Sequence, residues 1–94
     1  MPFSRLIFRV HAVRRMAQRG ITTAEVRQVL STGMVIENYL NDTPYPSYLM
    51  LGIVSGRPLH VVAADNASDQ EMIVITTYEP DPIQWTPDFM RRRP

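Results

Sequence analysis

The stretch Tyr48-Leu49-Met50-Leu51-Gly52-Ile53-Val54-Ser55-Gly56-Arg57-Pro58-Leu59-His60-Val61-Val62-Ala63-Ala64 decides the fold. Two runs rich in aliphatic and β-branched residues flank a two-residue Ser55-Gly56 turn, the pattern of a β-hairpin. Such a turn sets Val54 opposite Arg57 and Leu51 opposite His60. Downstream, the polar turn from Asp65 to Gln70 leads to a further apolar run, Met72 to Tyr78. A turn centred near residue 68 sets His60 opposite about Thr76. Upstream, Met34 to Tyr39 also reads as a strand. Pro44 and Pro46 keep the intervening segment out of a central strand.

The expected sheet is therefore a meander of four antiparallel strands, at about residues 34–39, 48–54, 57–64 and 72–78. One face is expected to hold Leu49, Leu51, Ile53, His60, Val62, Val74, Thr76 and Tyr78. The other holds Met50, Gly52, Val54, Leu59, Val61, Ala63, Ile73 and Ile75. Both faces are apolar, so helices on one side leave the second to be covered. The C-terminal segment, another subunit and a ligand cleft are the candidates. A slip of one residue would exchange the faces.

Two helices precede the sheet, at about residues 11–19 and 22–31. In the first, His11, Arg15 and Arg19 recur every four residues and share a face. Val13, Met16 and Ala17 lie on the opposite side, and Gly20 ends the helix. Thr22 with Glu25 forms a capping box for the second helix, which buries Val26, Val29 and Leu30. Gly33 stands where a C′ glycine belongs. Phe3 to Val10 reads either as an extended lead-in or as the first helical turn, with Phe8 or Val10 packed inward. The tail from Glu79 to Pro94 is proline-punctuated and irregular, and it is expected to anchor on the sheet or on a neighbouring subunit. Trp85 and Phe89 would pack together if Pro87 opens a turn, and Arg91, Arg92 and Arg93 either touch an anion or, as is commoner at a chain end, are solvated. The whole is one α+β domain over residues 1–94: two N-terminal helices packed on a four-stranded antiparallel sheet, with an irregular C-terminal tail.

Composition narrows the function classes. The chain has 94 residues, a formal net charge of +1 and no cysteine. Its charge is uneven: residues 1–30 carry +5, residues 31–90 carry −7 and the terminal arginines carry +3. That asymmetry points to an anionic partner for the N-terminal part. Every cation is arginine, which suits bidentate recognition of phosphate or carboxylate, although genomic base composition also explains the missing lysines. With two histidines and no cysteine, neither a metal site nor a cofactor is expected. No apolar run is long enough for a membrane span and no signal peptide is visible. A cytoplasmic protein with no membrane partner is the expectation.

The residues also form an ordered series. It runs through His11, Arg15, Met16, Arg19, Gly20 and Ile21, then Glu25-Val26, Gly33 and Val35-Ile36-Glu37. It continues with Asp42, Pro44-Tyr45-Pro46-Ser47, Gly56-Arg57-Pro58-Leu59-His60-Val61-Val62 and Ile75-Thr76-Thr77-Tyr78-Glu79-Pro80-Asp81. Over nearly the whole chain this resembles the domain of unknown function 4258 family. The resemblance implies a RelE-like or barnase-like small ribonuclease fold. Relatives of that shape occur as toxins of toxin–antitoxin pairs, and the Gly56-Arg57 strand is similar to that of BrnT-type toxins. It further implies a protein antitoxin with a zinc-ribbon or DNA-binding module as partner.

Metal-free RNA cleavage needs a base for the 2′-hydroxyl, an acid for the leaving oxygen and cations for the phosphorane. Histidine can serve as either base or acid at neutral pH. His11 is the leading candidate for acid or base, with Arg15 and Arg19 as phosphate binders on the same face. Arg15 and Arg19 could instead pair with Glu37, Asp42 or Glu79. His60 reads either as a core histidine or as the acid partner of His11. Arg57 closes the hairpin or binds phosphate. Tyr78 and Glu79, at the end of the last strand, are candidate substrate contacts. The expected function is a metal-independent ribonuclease-type toxin acting on RNA. The alternative is a non-catalytic module that forms a homodimer or binds an acidic partner.

Overall fold

The central hairpin forms as its sequence requires in the computed structural model, which describes residues 5–94. Strand β3 (Ser47–Val54) pairs antiparallel with β4 (Arg57–Asn66). Val54 lies opposite Arg57 and Leu51 opposite His60. Ser55 and Gly56 both have positive φ, 53° and 80°, the backbone of a tight hairpin turn that matches the strand twist. Strand β2 (Met34–Tyr39) adds to the free edge of β3, and β5 (Glu71–Tyr78) to that of β4.

The sheet has five strands rather than four, in the order β1-β5-β4-β3-β2, and it is mixed. The extra strand is β1 (Arg5–Phe8), which runs parallel to β5 from Arg5 opposite Glu71 to Phe8 opposite Val74. Of the two readings of this segment, the extended one holds for Arg5–Phe8, while the helix begins at Val10. Phe3 and Ser4 lie outside the described residues. Leu6 and Phe8 pack against the core, and an Arg5–Glu71 ion pair ties the two strands. Alternation along four residues marks an extended segment, but it cannot name a partner at the far end of the chain.

Helices α1 (Val10–Arg19) and α2 (Thr23–Thr32) cover one face of the sheet. The buried stripe of α1 is Ala12 and Met16, four apart, not the expected trio. Val13 is 52% exposed and Ala17 also faces solvent, so the helix is rotated relative to its apolar pattern. Gly20 closes α1 in the left-handed region at φ 65°, and Ile21 then returns to the core. The capping box of α2 is complete: Glu25 N–H donates to Thr22 Oγ1 at 3.1 Å and Thr22 N–H to Glu25 Oε1 at 2.8 Å. Val26, Val29 and Leu30 are buried as expected. Gly33, however, is extended at φ −76°. It is held to glycine by space, because a Cβ there would lie 2.5 Å from the Val29 carbonyl oxygen.

A β-bulge corrects the expected faces of β5. Its register against β4 shifts between Val62 and Ala63, so His60 lies opposite Tyr78 rather than Thr76. Before the bulge the strand is inverted relative to the expectation. Val74, opposite Ala63, joins the helix-covered core, and Ile73, opposite Ala64, takes the other face.

The C-terminal segment covers part of that second face. Trp85 is 2% exposed and meets the His60 ring edge-on at a centroid distance of 4.4 Å. The tail doubles back on itself: Thr86 N–H donates to the Arg91 carbonyl and Arg93 N–H to that of Gln84, both at 2.8 Å. Arg92, for which contact with an anion and solvation were the two expectations, meets an anion: it lies 4.7 Å above the Trp85 ring and pairs with Glu37 at 3.5 Å. Burial, reinforced by Glu37, pushes the neighbouring Tyr39 hydroxyl up to about 12. Pro87 does open a turn, with Phe89 N–H donating to the Thr86 carbonyl at 2.7 Å. Among the described residues no helix is long and apolar enough to cross a membrane.

Candidate functional site

Strand β1 stops at Phe8, where the chain turns into α1. The outer edge of β5 beyond Val74 therefore has no strand partner among the described residues. Helix α1 and the tail stand on either side of this open edge and enclose a concavity of about 470 Å³. His11, Arg15 and Arg19, one from each successive turn of α1, form one wall. Thr76 and Tyr78 of β5, Glu79 just beyond it, and Asp81, Gln84 and Trp85 of the tail complete the lining.

The charges around this concavity are unequal in their engagement. Arg5 pairs with Glu71, Arg92 with Glu37, and Arg57 with both Glu25 (3.7 Å) and Glu79 (3.6 Å). Among the described residues, His11, Arg15 and Arg19 have no side-chain ion pair or hydrogen bond. The carboxylates expected as their alternative partners are engaged elsewhere, Glu37 by Arg92, Glu79 by Arg57 and Asp42 by the Ser47 hydroxyl at 2.5 Å, while Asp81, which shares the concavity, accepts from Ile83 N–H. The helix thus presents two uncommitted guanidiniums and an imidazole to an open cavity.

His60 and Arg57 do not line the concavity but touch residues that do. His60 is fully buried beneath Trp85 and Tyr78. Its Nε2 is 2.8 Å from the Phe89 carbonyl oxygen, and its Nδ1 is 3.3 Å from the Tyr78 hydroxyl. A carbonyl oxygen can only accept, so Nε2 carries the proton. Burial lowers the His60 pKa and keeps the ring neutral, which leaves Nδ1 as an acceptor. The Tyr78 hydroxyl must then donate to His60, leaving its oxygen lone pairs for the concavity. Arg57 donates to the Arg19 and Gly20 carbonyls at 2.9 and 3.2 Å, satisfying the exposed C-terminus of α1.

The structure therefore brings together five of the seven residues singled out in the sequence: His11, Arg15, Arg19, Tyr78 and Glu79. Sequence reasoning missed Asp81 and Gln84. Asp81 stands between two prolines, a composition that favours turns, and it builds one: its carboxylate accepts from Ile83 N–H at 2.9 Å and its carbonyl from Gln84 and Trp85 N–H. Among the described residues no group of three or more His, Asp or Glu side chains is placed to hold a metal ion.

In the comparison with protein families, the model for a domain of unknown function, DUF4258, matches residues 8–79. No curated protein and no solved structure matches the chain.

Proposed function

We propose that this chain, which belongs to the DUF4258 family, is a metal-independent ribonuclease-type toxin that cleaves RNA through the 2′-hydroxyl and is neutralised by a protein antitoxin. One observation carries this reading: His11, Arg15 and Arg19, without a side-chain partner among the described residues, line one open concavity together with Tyr78 and Glu79. Two unneutralised guanidiniums one helical turn apart suit the oxygens of a single phosphodiester. In the proposed reaction the Glu79 carboxylate takes the 2′-hydroxyl proton, and the 2′-oxygen attacks phosphorus. Arg15 and Arg19 hold the charged phosphorane oxygens. Protonated His11 gives its proton to the departing 5′-oxygen, leaving a 2′,3′-cyclic phosphate and a 5′-hydroxyl. Arg57 steadies Glu79, and His60 steadies Tyr78 from below.

The test is incubation of the purified protein with RNA in EDTA, alongside induced expression in a bacterial host. Cyclic-phosphate ends and growth arrest are expected for wild type. His11→Ala and Arg15→Ala are expected to lose about 10²–10⁴-fold in rate. Absence of both cleavage and toxicity at high protein concentration sinks the proposal. The second reading, a non-catalytic dimer or partner-binding module, is favoured by edge strand β2. Met34 and Val35 there, with Leu40 just beyond, are 50%, 42% and 75% exposed. A partner strand or a second copy could extend the sheet at this edge. Under that reading β2 substitutions change the oligomeric state, while those at His11 and Arg15 have no effect.

A further inference from the structure

A second concavity, of about 340 Å³, opens beside the first. The two share the unpartnered stretch of β5, one being lined by Ile75 and the other by its neighbour Thr76. Arg9, the residue before α1, stands over the second concavity, and Tyr45 lies in its wall, flanked by Pro44 and Pro46. The carboxylate in this wall, Asp42, is engaged by the Ser47 hydroxyl. Among the described residues Arg9, like Arg15 and Arg19, has no side-chain ion pair or hydrogen bond. From Arg9 to Arg19 the α1 axis covers about 15 Å, too long for one phosphate and its sugar.

Single-strand binders track a backbone with cations and stack bases on aromatic rings. Along this chain aromatic and basic residues are not interleaved. The fold brings them together in space, Tyr45 with Arg9 in one concavity and Tyr78 with Arg15 and Arg19 in the other. We propose that the second concavity binds a nucleotide flanking the scissile one, with Arg9 on its phosphate and the Tyr45 ring against its base. This rests on the reading of the first concavity as an RNA site. The substrate is then single-stranded RNA spanning several nucleotides, because a duplex cannot release a base to Tyr45.

Fluorescence anisotropy with uncleavable 2′-O-methyl RNA tests this. A mixed-sequence octanucleotide is compared with a dinucleotide. The octanucleotide is expected to bind about tenfold tighter or more. Arg9→Gln and Tyr45→Ala should each weaken the octanucleotide several-fold or more and leave the dinucleotide unchanged, and Arg9→Gln should also lower the salt slope by about 1. Arg15→Ala should weaken both. Circular dichroism of each variant confirms the fold, and exposed Arg9 carries the test if Tyr45→Ala unfolds. If Arg15→Ala weakens binding while Arg9→Gln does not, the second subsite is overturned and the first stands. If neither oligonucleotide binds, both fall. Equal displacement by polyglutamate would show a site for bare negative charge and overturn the flanking-nucleotide assignment.

Discussion

Replacing Trp85 with alanine tests whether the tail is part of the core. The ring is 2% exposed, packed edge-on against His60 and stacked under Arg92. A buried tryptophan removes about 150–250 Å² from water, which at about 25 cal/mol per Å² corresponds to about 4–6 kcal/mol as an upper bound. Measured truncations of this type cost about 3–5 kcal/mol. Loss of the Arg92 stack adds about 0.5–1 kcal/mol. A loss near 4 kcal/mol is thus expected, a large part of the roughly 5–15 kcal/mol that holds a domain folded. Urea unfolding followed by far-ultraviolet circular dichroism is the assay, because the variant removes the only tryptophan. With a slope near 1–2 kcal/mol per molar, the midpoint should fall by about 2–4 M. Trp85→Phe, which keeps a ring against His60, should lose less and remains measurable if the alanine variant unfolds. A loss under about 1 kcal/mol with an unchanged slope would refute the reasoning: the tail would then be an appendage, and the wall it supplies to the concavity would not persist in solution.

Three further outcomes are expected. The folded-state pKa of His60 lies below the unfolded value near 6.5, so the unfolded chain binds more protons between the two. Its contribution to stability is complete above about pH 6.5 and is lost as pH falls below it, with a slope of up to about 1.4 kcal/mol per pH unit. His60→Gln should flatten that segment of a stability–pH curve, and an unchanged slope would contradict a neutral buried ring. Arg57→Ala removes charge-assisted bonds to the Arg19 and Gly20 carbonyls and should cost about 1–2 kcal/mol in urea unfolding; a change within experimental error would mean that water caps α1 equally well. Gly52→Ala places a Cβ 2.8 Å from Val29 Cγ2 and should cost about 1–3 kcal/mol. Adding Val29→Ala should recover part of that loss, and strict additivity of the two would show that they do not touch.

Local chemistry was legible in the sequence wherever the interaction itself is local. The Ser55-Gly56 turn fixes the β3–β4 register, and the Thr22–Glu25 box fixes the start of α2, because each is written within a few residues. The parallel partner of β1 was not legible, since pairing Arg5 with Glu71 depends on how α1, α2 and the meander fold between them. Nor was the bulge near Val62: Ile73, Val74 and Ile75 are three interchangeable aliphatics, and no polar residue among them marks which should face the helices. Both sheet faces were expected to need a cover and the C-terminal segment was among the candidates, but a proline-rich tail carries no periodicity to separate anchoring on its own sheet from anchoring on a neighbouring subunit.

The arginines make the same point about function. By composition the arginines are alike as hints of an anionic partner, but the fold divides them. Arg5 spends its charge on Glu71, and Arg57 on the end of α1 and two glutamates. Arg92 from the tail is consumed by Glu37 and Trp85. Each of these has a partner distant in sequence, so periodicity could not separate them from the cations of the concavities. Arg9, Arg15 and Arg19 lie at or on α1, a helix whose own first turn holds no acid and whose nearby carboxylates are engaged by other residues. Surface ion pairs stabilise a fold weakly, so leaving these three unpaired costs the fold little, and it leaves their charge available to a ligand. Of the six arginines in residues 1–30, Arg5 is paired with Glu71, while Arg9, Arg15 and Arg19 line the two concavities beside the edge where β5 lacks a neighbour, and these three are the cations on which the proposed function rests.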